Sequence, residues 1–239
     1  MLQNIGVCDT IITTIIREIL SMDGQMKDYL IKVGLKTLVF LLAITIILSS
    51  VLMLFVPAYA SDVCYNLGLK DLSARLEVNA YIKSEDLNDL AKLFDRAVDA
   101  ENYEITYKFG KELFNHKDID EYSLFRAKYG SLDYKSYVLG NYAIATANLY
   151  GVNSAVDLLE ENTGTYSRTC AYSYLVSHVC EKTNKFKKDD ATLLLNSLES
   201  RFADCSEEEK VFVSSDGYYL CQTFGLGNGA TWQERYKGQ

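Results

Sequence analysis

Residues 36–61 read KTLVFLLAITIILSSVLMLFVPAYAS, and their reading decides where the rest of the chain lives. The 20 residues from Thr37 to Val56 carry no charge. As a helix they extend roughly 30 Å, the hydrocarbon thickness of a bilayer. A soluble helix needs a polar face, and this one has none. Thr45, Ser49 and Ser50 can bond back to helix carbonyls and so cost little in lipid. The segment therefore reads as a transmembrane helix ended by Pro57.

Flanking charge sets the orientation. Arg17, Lys27, Lys32 and Lys36 precede the segment, whereas Asp62 follows it and the next cations are Lys70 and Arg75. The positive-inside bias puts residues 1–36 in the cytoplasm and the C-terminal domain on the outer side of a plasma membrane crossed once. Two fates stay open. The apolar run is longer than the ~7–15 residues of a signal core, which favours a permanent signal-anchor. Ala58-Tyr59-Ala60 fits a small-x-small cleavage site, which favours secretion after a cut at Ala60. Met22 and Met26 are alternative starts to Met1, and MKDYLIKVGLK from Met26 is an ordinary basic leader. Upstream, Ile12, Ile15, Ile16 and Ile19 share one helical face and suggest a short helix lying on the membrane surface.

The bulk composition excludes several classes. The 239 residues hold 24 Lys plus Arg against 32 Asp plus Glu, a formal net charge of -8, with no basic face. Phosphate backbones need clustered cations, so no nucleic-acid partner is expected. Lys182, Lys185, Lys187 and Lys188 are followed by Asp189-Asp190 and read as a solvated loop. One proline and 14 glycines disfavour a β-sandwich or barrel.

Helical periodicity dominates after residue 62. Leu87, Leu90, Ala91, Phe94, Ala97 and Val98 form one apolar stripe, with Asp89, Lys92 and Asp95 expected to face away. Ile105, Phe109 and Leu113 mark a second helix. Ser206 with Glu209 is a capping box. The uncharged Ser136–Tyr150 segment is too short and polar to span a membrane and reads as a helix covered on several sides. Candidate caps Ser84, Asp118, Asn153 and Asp189 recur about every 35 residues, the spacing of stacked helix pairs. The expected fold is all-α: an N-terminal single transmembrane helix at 37–56, an antiparallel helix-pair α-solenoid over 61–224, and a flexible tail over 225–239.

The first pair, from Ser84 to about Asn115, resembles a tetratricopeptide repeat. Leu87, Leu90, Ala91 and Phe94 occupy that family's large, leucine, small and aromatic positions, and Tyr107 and Gly110 match the aromatic and small positions of its second helix. Tyr103 stands where the family has alanine and Asn115 where it has proline. Later units match only at Leu158-Leu159 and Leu194-Leu195. The resemblance implies a protein-interaction scaffold rather than a chemistry.

Candidate chemistry is sparse. His178 and Cys180 point about 200° apart on a helix and cannot share a metal. His116 in FNHKD reads as a helix-end cation. No serine sits in a nucleophile elbow, and GLGNGA from Gly225 lacks a phosphate-loop ending. No catalytic residue, cofactor or metal is assigned. Cys64, Cys170, Cys180, Cys205 and Cys221 are odd in number and read as buried free thiols, which suits a reducing exterior or else a domain facing the cytoplasm. The expected activity is binding of a protein or peptide partner, with Tyr103, Tyr107, Tyr122 and Tyr137 as candidate anchors. Two rivals are an exported protein that binds a small ligand or cell-wall glycan, and an enzyme built from Arg126, Arg168 or Arg201 with nearby acids.

Overall fold

The computed structural model describes residues 24–127, 133–161 and 165–238, all helical or connecting, with no strand among the described residues. The surface helix expected at Ile5–Leu20 lies outside them. The chain divides into two units, 1–55 and 56–239.

In the first unit, helix α1 covers Gly24–Phe55. Its stretch Ile31–Phe55 is 25 residues long and apolar enough to cross a membrane. Thr37, Thr45 and Ser50 donate to the carbonyls of Val33, Leu41 and Ile46 at 3.0, 2.9 and 2.8 Å. Their hydroxyls are thus satisfied without water, as apolar surroundings demand.

The second unit begins five residues earlier than the Ser61 boundary read from sequence. Pro57 starts a new helix instead of merely ending the old one: α2 is Pro57–Asn66, with Pro at its first position. A residue without an N–H loses nothing there. Then come α3 (Lys70–Ser84), α4 (Leu87–Asp99), α5 (Tyr103–Phe114), α6 (Ile119–Ala127) and α7 (Tyr134–Tyr150). They are followed by α8 (Val152–Glu161), α9 (Thr165–Glu181), α10 (Lys188–Arg201), α11 (Glu207–Phe224) and α12 (Gly229–Lys237).

The caps shift slightly from their expected places. Asp86, not Ser84, caps α4 by accepting from Asn88 N–H at 2.8 Å, while the Ser84 hydroxyl turns back to the Tyr81 carbonyl. Asn153 and Asp189 lie inside the first turns of α8 and α10. Ser206 and Glu209 form the reciprocal box as read, at 3.3 and 2.9 Å. The starts of α4, α6, α8 and α10, at Leu87, Ile119, Val152 and Lys188, recur every 32 to 36 residues.

Packing follows chain order. Helices α2, α3, α4 and α5 pack each on the next. From there α5, α7, α9 and α11 form a row, with α6 and α8 against α7, and α10 against α8 and α11. Helix α7 joins two apolar clusters. Val138 packs with Leu90, Phe94, Phe109 and Leu113, whereas Leu139, Ala143 and Ala147 pack with Leu159, Leu175 and Leu194. That double burial explains why the helix carries no charge after Lys135.

Glycines set the closest approaches. A Cβ on Gly110 would meet the Phe94 ring at 2.8 Å, and one on Gly140 would meet Tyr174 at 2.7 Å. Helices α4 and α5, and α7 and α9, can therefore dock ring against backbone. The same device orders the last residues. The segment 225–239, expected to be a flexible tail, instead carries α12, because Trp232 seats on Gly217 of α11 and is fully buried. Arg235 binds Glu199 through both oxygens at 2.7 and 2.8 Å and covers the Trp232 and Phe202 rings.

Two charges expected to face solvent are in fact used. Lys92 reaches Asp62 and Glu77 at 3.1 and 3.4 Å, and Asp95 accepts from Arg126 and Tyr134. At the joint of α2, α3 and α4, Arg96 is buried with Glu77, its Nη1 2.8 Å from Oε2, and also donates to Ser61, Ser73 and Asp62. Ser61 and Ser73 exchange hydroxyl-to-carbonyl bonds at 2.9 Å, drawing α2 and α3 together.

Because a Cβ at Gly217 would lie 2.4 Å from the Trp232 ring, Gly217→Ala is expected to eject α12. The loss in unfolding free energy should be about 1–3 kcal/mol. Trp232 is the sole tryptophan, so its emission shifts to the red before global unfolding. Gly227→Ala, with open space at its Cβ, should leave that emission unchanged.

Candidate functional site

The four candidate tyrosines do not converge; they fall into three separate clusters. Tyr103 is half-buried, edge-on to His178 at 6.1 Å, with Lys185 5.6 Å from its ring centroid. Burial, then Glu101, pushes its hydroxyl up to about 12. Tyr122 and Tyr137 belong to a second cluster around buried Tyr134, at 5.5 and 5.6 Å, with Phe94 and Tyr174 beside Tyr137. Burial raises the pKa of both. These two serve the core between α4, α6, α7 and α9 rather than a free surface.

Tyr107 faces a groove. Together with Tyr142, Tyr150, Thr146, Asp157 and Glu161, and Lys111 on α5, it lines a space of about 430 Å³ between α5, α7 and α8. The Tyr107 ring lies 5.4 Å from Tyr142 and 5.0 Å from Tyr150. Tyr142 is buried as the floor, and burial followed by the Tyr107 hydroxyl pushes it up to about 12. Tyr150 is exposed, and the carboxylates of Asp157 and Glu161 stand on the α8 rim. Asp157 is oriented by Asn153 at 3.1 Å. Tyrosine faces beside carboxylates suit a cation carried on an apolar stem, since the ring face and the acids both attract positive charge. Sequence reasoning missed Tyr142 and Tyr150. Their signal was Tyr142, Thr146 and Tyr150 at four-residue steps, one helical face.

A second cavity, of about 340 Å³, lies between α7, α9 and α11 and is lined by Asp133, Ser136, Cys170, Ser173, Tyr174 and Phe212, among others. Beneath it, Ser173 donates to buried Asp216 at 2.6 Å. Burial, weakly countered by that hydroxyl, raises Asp216 to about 7.

The cationic candidates for catalysis act as ties between helices. Arg126 bonds Asp95 at 3.0 Å and stacks on Tyr134, while buried Arg201 donates to Thr169 at 3.0 Å and covers Tyr172. Neither lines the two cavities above. The Arg168 side chain lies outside the described residues. The His116 ring lies at the turn into α6, with its Nδ1 3.2 Å from the Asp118 backbone nitrogen. His178 contacts the Asn148 amide at 3.0 Å, and burial, then Lys182, lowers its pKa. Among the described residues no group of three His, Cys, Asp or Glu could hold a metal. Cys64, Cys170, Cys180, Cys205 and Cys221 are free thiols, and burial pushes Cys180 up to about 11.

No family model, curated protein or solved structure matches this chain.

Asp216 supplies a pH test. Its folded pKa lies above the ordinary carboxylate value, so the folded state holds a proton that the unfolded state releases. The contribution of Asp216 to stability is therefore full below about pH 4, falls as pH rises toward 7, and levels beyond it. Asp216→Asn should flatten that slope in urea titrations run across the interval. A slope unchanged in the variant would show that Asp216 does not ionise in the folded protein.

Proposed function

We propose that this chain is a single-pass membrane protein whose helical-repeat domain serves as a docking scaffold on the outer side of the membrane. The observation that carries this reading is the tyrosine groove on a serial stack of helix pairs. Such stacks present continuous surfaces to extended partners, and terminal helices close their ends. Helix pairs starting every 32 to 36 residues, with α5, α7, α9 and α11 stacked in a row, support a tetratricopeptide-like solenoid. Tyr107, Tyr142 and Tyr150 with Asp157 and Glu161 support a partner that offers an extended peptide with a Lys or Arg side chain. The positive-inside bias supports the cytoplasmic N-terminus.

The uncut anchor is favoured over export after cleavage. The Ala60–Ser61 bond lies inside α2, and both residues are buried. A cut there would leave a new ammonium group on the residue whose hydroxyl already contacts the Arg96 guanidinium. Two cations brought together away from water repel strongly. The mass of the protein isolated from membranes should therefore include residues 37–60. A polypeptide beginning at Ser61 would favour the rival, an exported binder of a small ligand or glycan.

The groove is tested by selecting from a random peptide display library on the full-length protein in nanodiscs. Enriched peptides should carry Lys or Arg beside an apolar residue. Tyr150→Ala should weaken them by about tenfold, since an aromatic anchor contributes 1–2 kcal/mol or more. Asp157→Asn with Glu161→Gln should reduce the salt dependence of binding. Selected peptides indifferent to all three changes would contradict the assignment of this groove.

A further inference from the structure

Helix α2 has its polarity reversed. Its inward side holds Ser61, fully buried against Ser73 and Arg96, together with Ala60 and Cys64. Its outward side holds Val56, Tyr59, Val63 and Leu67, at steps of three, four and four residues. Tyr59 is 58% exposed and Leu67 70%. Leu69 and Leu72, in the turn and first residues of α3, are also exposed, but they line a separate cavity with Asp71, Asp99 and Glu101. A helix that met only water would turn these side chains inward and the serine outward. Single exposed apolar residues are ordinary, but four on one side of a short helix, interrupted there by exposed Asn66 and set opposite a fully buried serine, form a patch that calls for a cover.

Chain continuity names what covers this ridge. One residue, Val56, separates the end of α1 at Phe55 from the start of α2 at Pro57. Whatever angle the chain takes there, the first turn of α2 stays within a few Å of the end of α1, because one residue spans at most about 3.6 Å. If α1 spans a bilayer, that end lies in the headgroup layer. Tyr59 is the residue type that sits at this depth, ring toward the acyl chains and hydroxyl toward water. Lys70, exposed beside Leu69, is placed for headgroup phosphates.

We propose that α2 is an interfacial helix: Val56, Tyr59, Val63 and Leu67 lie against the outer lipid surface, and the polar joint with α3 and α4 faces the protein. This rests on the reading of α1 as the membrane span. It adds that the domain is seated on the bilayer and does not hang from a free linker. Lipid is preferred to a second copy of the chain because the ridge starts where the span ends.

The test uses the full chain in nanodiscs whose lipids carry bromine high on the acyl chain, a short-range tryptophan quencher. Native Trp232, buried between α12 and α11, serves as the internal reference for folding and should be unquenched. Tyr59→Trp should add emission that brominated lipid quenches about twofold, because an interfacial helix buries its apolar face to the depth of the upper chains. Leu42→Trp, inside α1, should also be quenched. Quenching at 42 without quenching at 59 overturns the interfacial helix and leaves the anchor standing. A blue-shifted but unquenched signal at 59 also overturns it, since protein then covers the ridge. Absence of quenching at both positions removes the anchor and this inference together.

Discussion

Arg96 holds the joint on which the rest of the molecule's arrangement depends. Its guanidinium enters from α4, pairs with fully buried Glu77 of α3, and reaches Ser61 and Asp62 of α2. A buried cation must be paired and hydrogen-bonded, and removing one partner from such a cluster typically costs about 3–5 kcal/mol. Three helices are thereby obliged to turn polar groups toward one point. For α2, a ten-residue helix, that leaves its apolar ridge nowhere to go but outward. The ion cluster thus tethers the chain emerging from α1 to the domain body and determines which side of α2 is left uncovered.

Beyond that joint, rings docked on glycines set the spacing of the stack. Phe94 on Gly110, Tyr174 on Gly140 and Trp232 on Gly217 each bring two helices into contact where any side chain would hold them apart. Tyrosines do much of the remaining work between helices, which explains their abundance better than an exposed binding face does. Tyr134 and Tyr172 are both fully or nearly buried, each with a carboxylate accepting from its hydroxyl, Asp95 and Glu160 respectively. The groove at Tyr107 and Tyr150 is where this aromatic packing reaches the surface beside free space and acid side chains.

The helical character was legible in the sequence because it is a local property. The stripe of α4, the capping box at Ser206 and the uncharged Ser136–Tyr150 run of α7 each announce themselves within a few helical turns. The long apolar helix α1 was legible for the same reason. What escaped depends on partners distant in sequence. PAYASDVCYN has no clear period, and its reversed polarity appears only once Arg96, 35 residues on from Ser61, is brought against it. Helix α12 was hidden behind GLGNGA, since nine residues with two turns of glycine-rich approach form a helix only when Trp232 finds Gly217. Of four candidate tyrosines, only Tyr107 reached the groove, because burial at Tyr122 and Tyr137 is decided by α7 crossing α4 and α6. Asp95 and Lys92 were assigned to solvent by helical phase alone, and neighbouring helices recruited both.

The central claim is that α1 holds this helical body at a membrane. The most direct measurement is extraction of membranes from cells expressing the full chain, first with alkaline carbonate and then with detergent. The full-length polypeptide should remain with the sedimented lipid through the alkaline wash, and detergent alone should release it. Full-length protein released by carbonate, or recovered in the soluble fraction without detergent, would contradict the account.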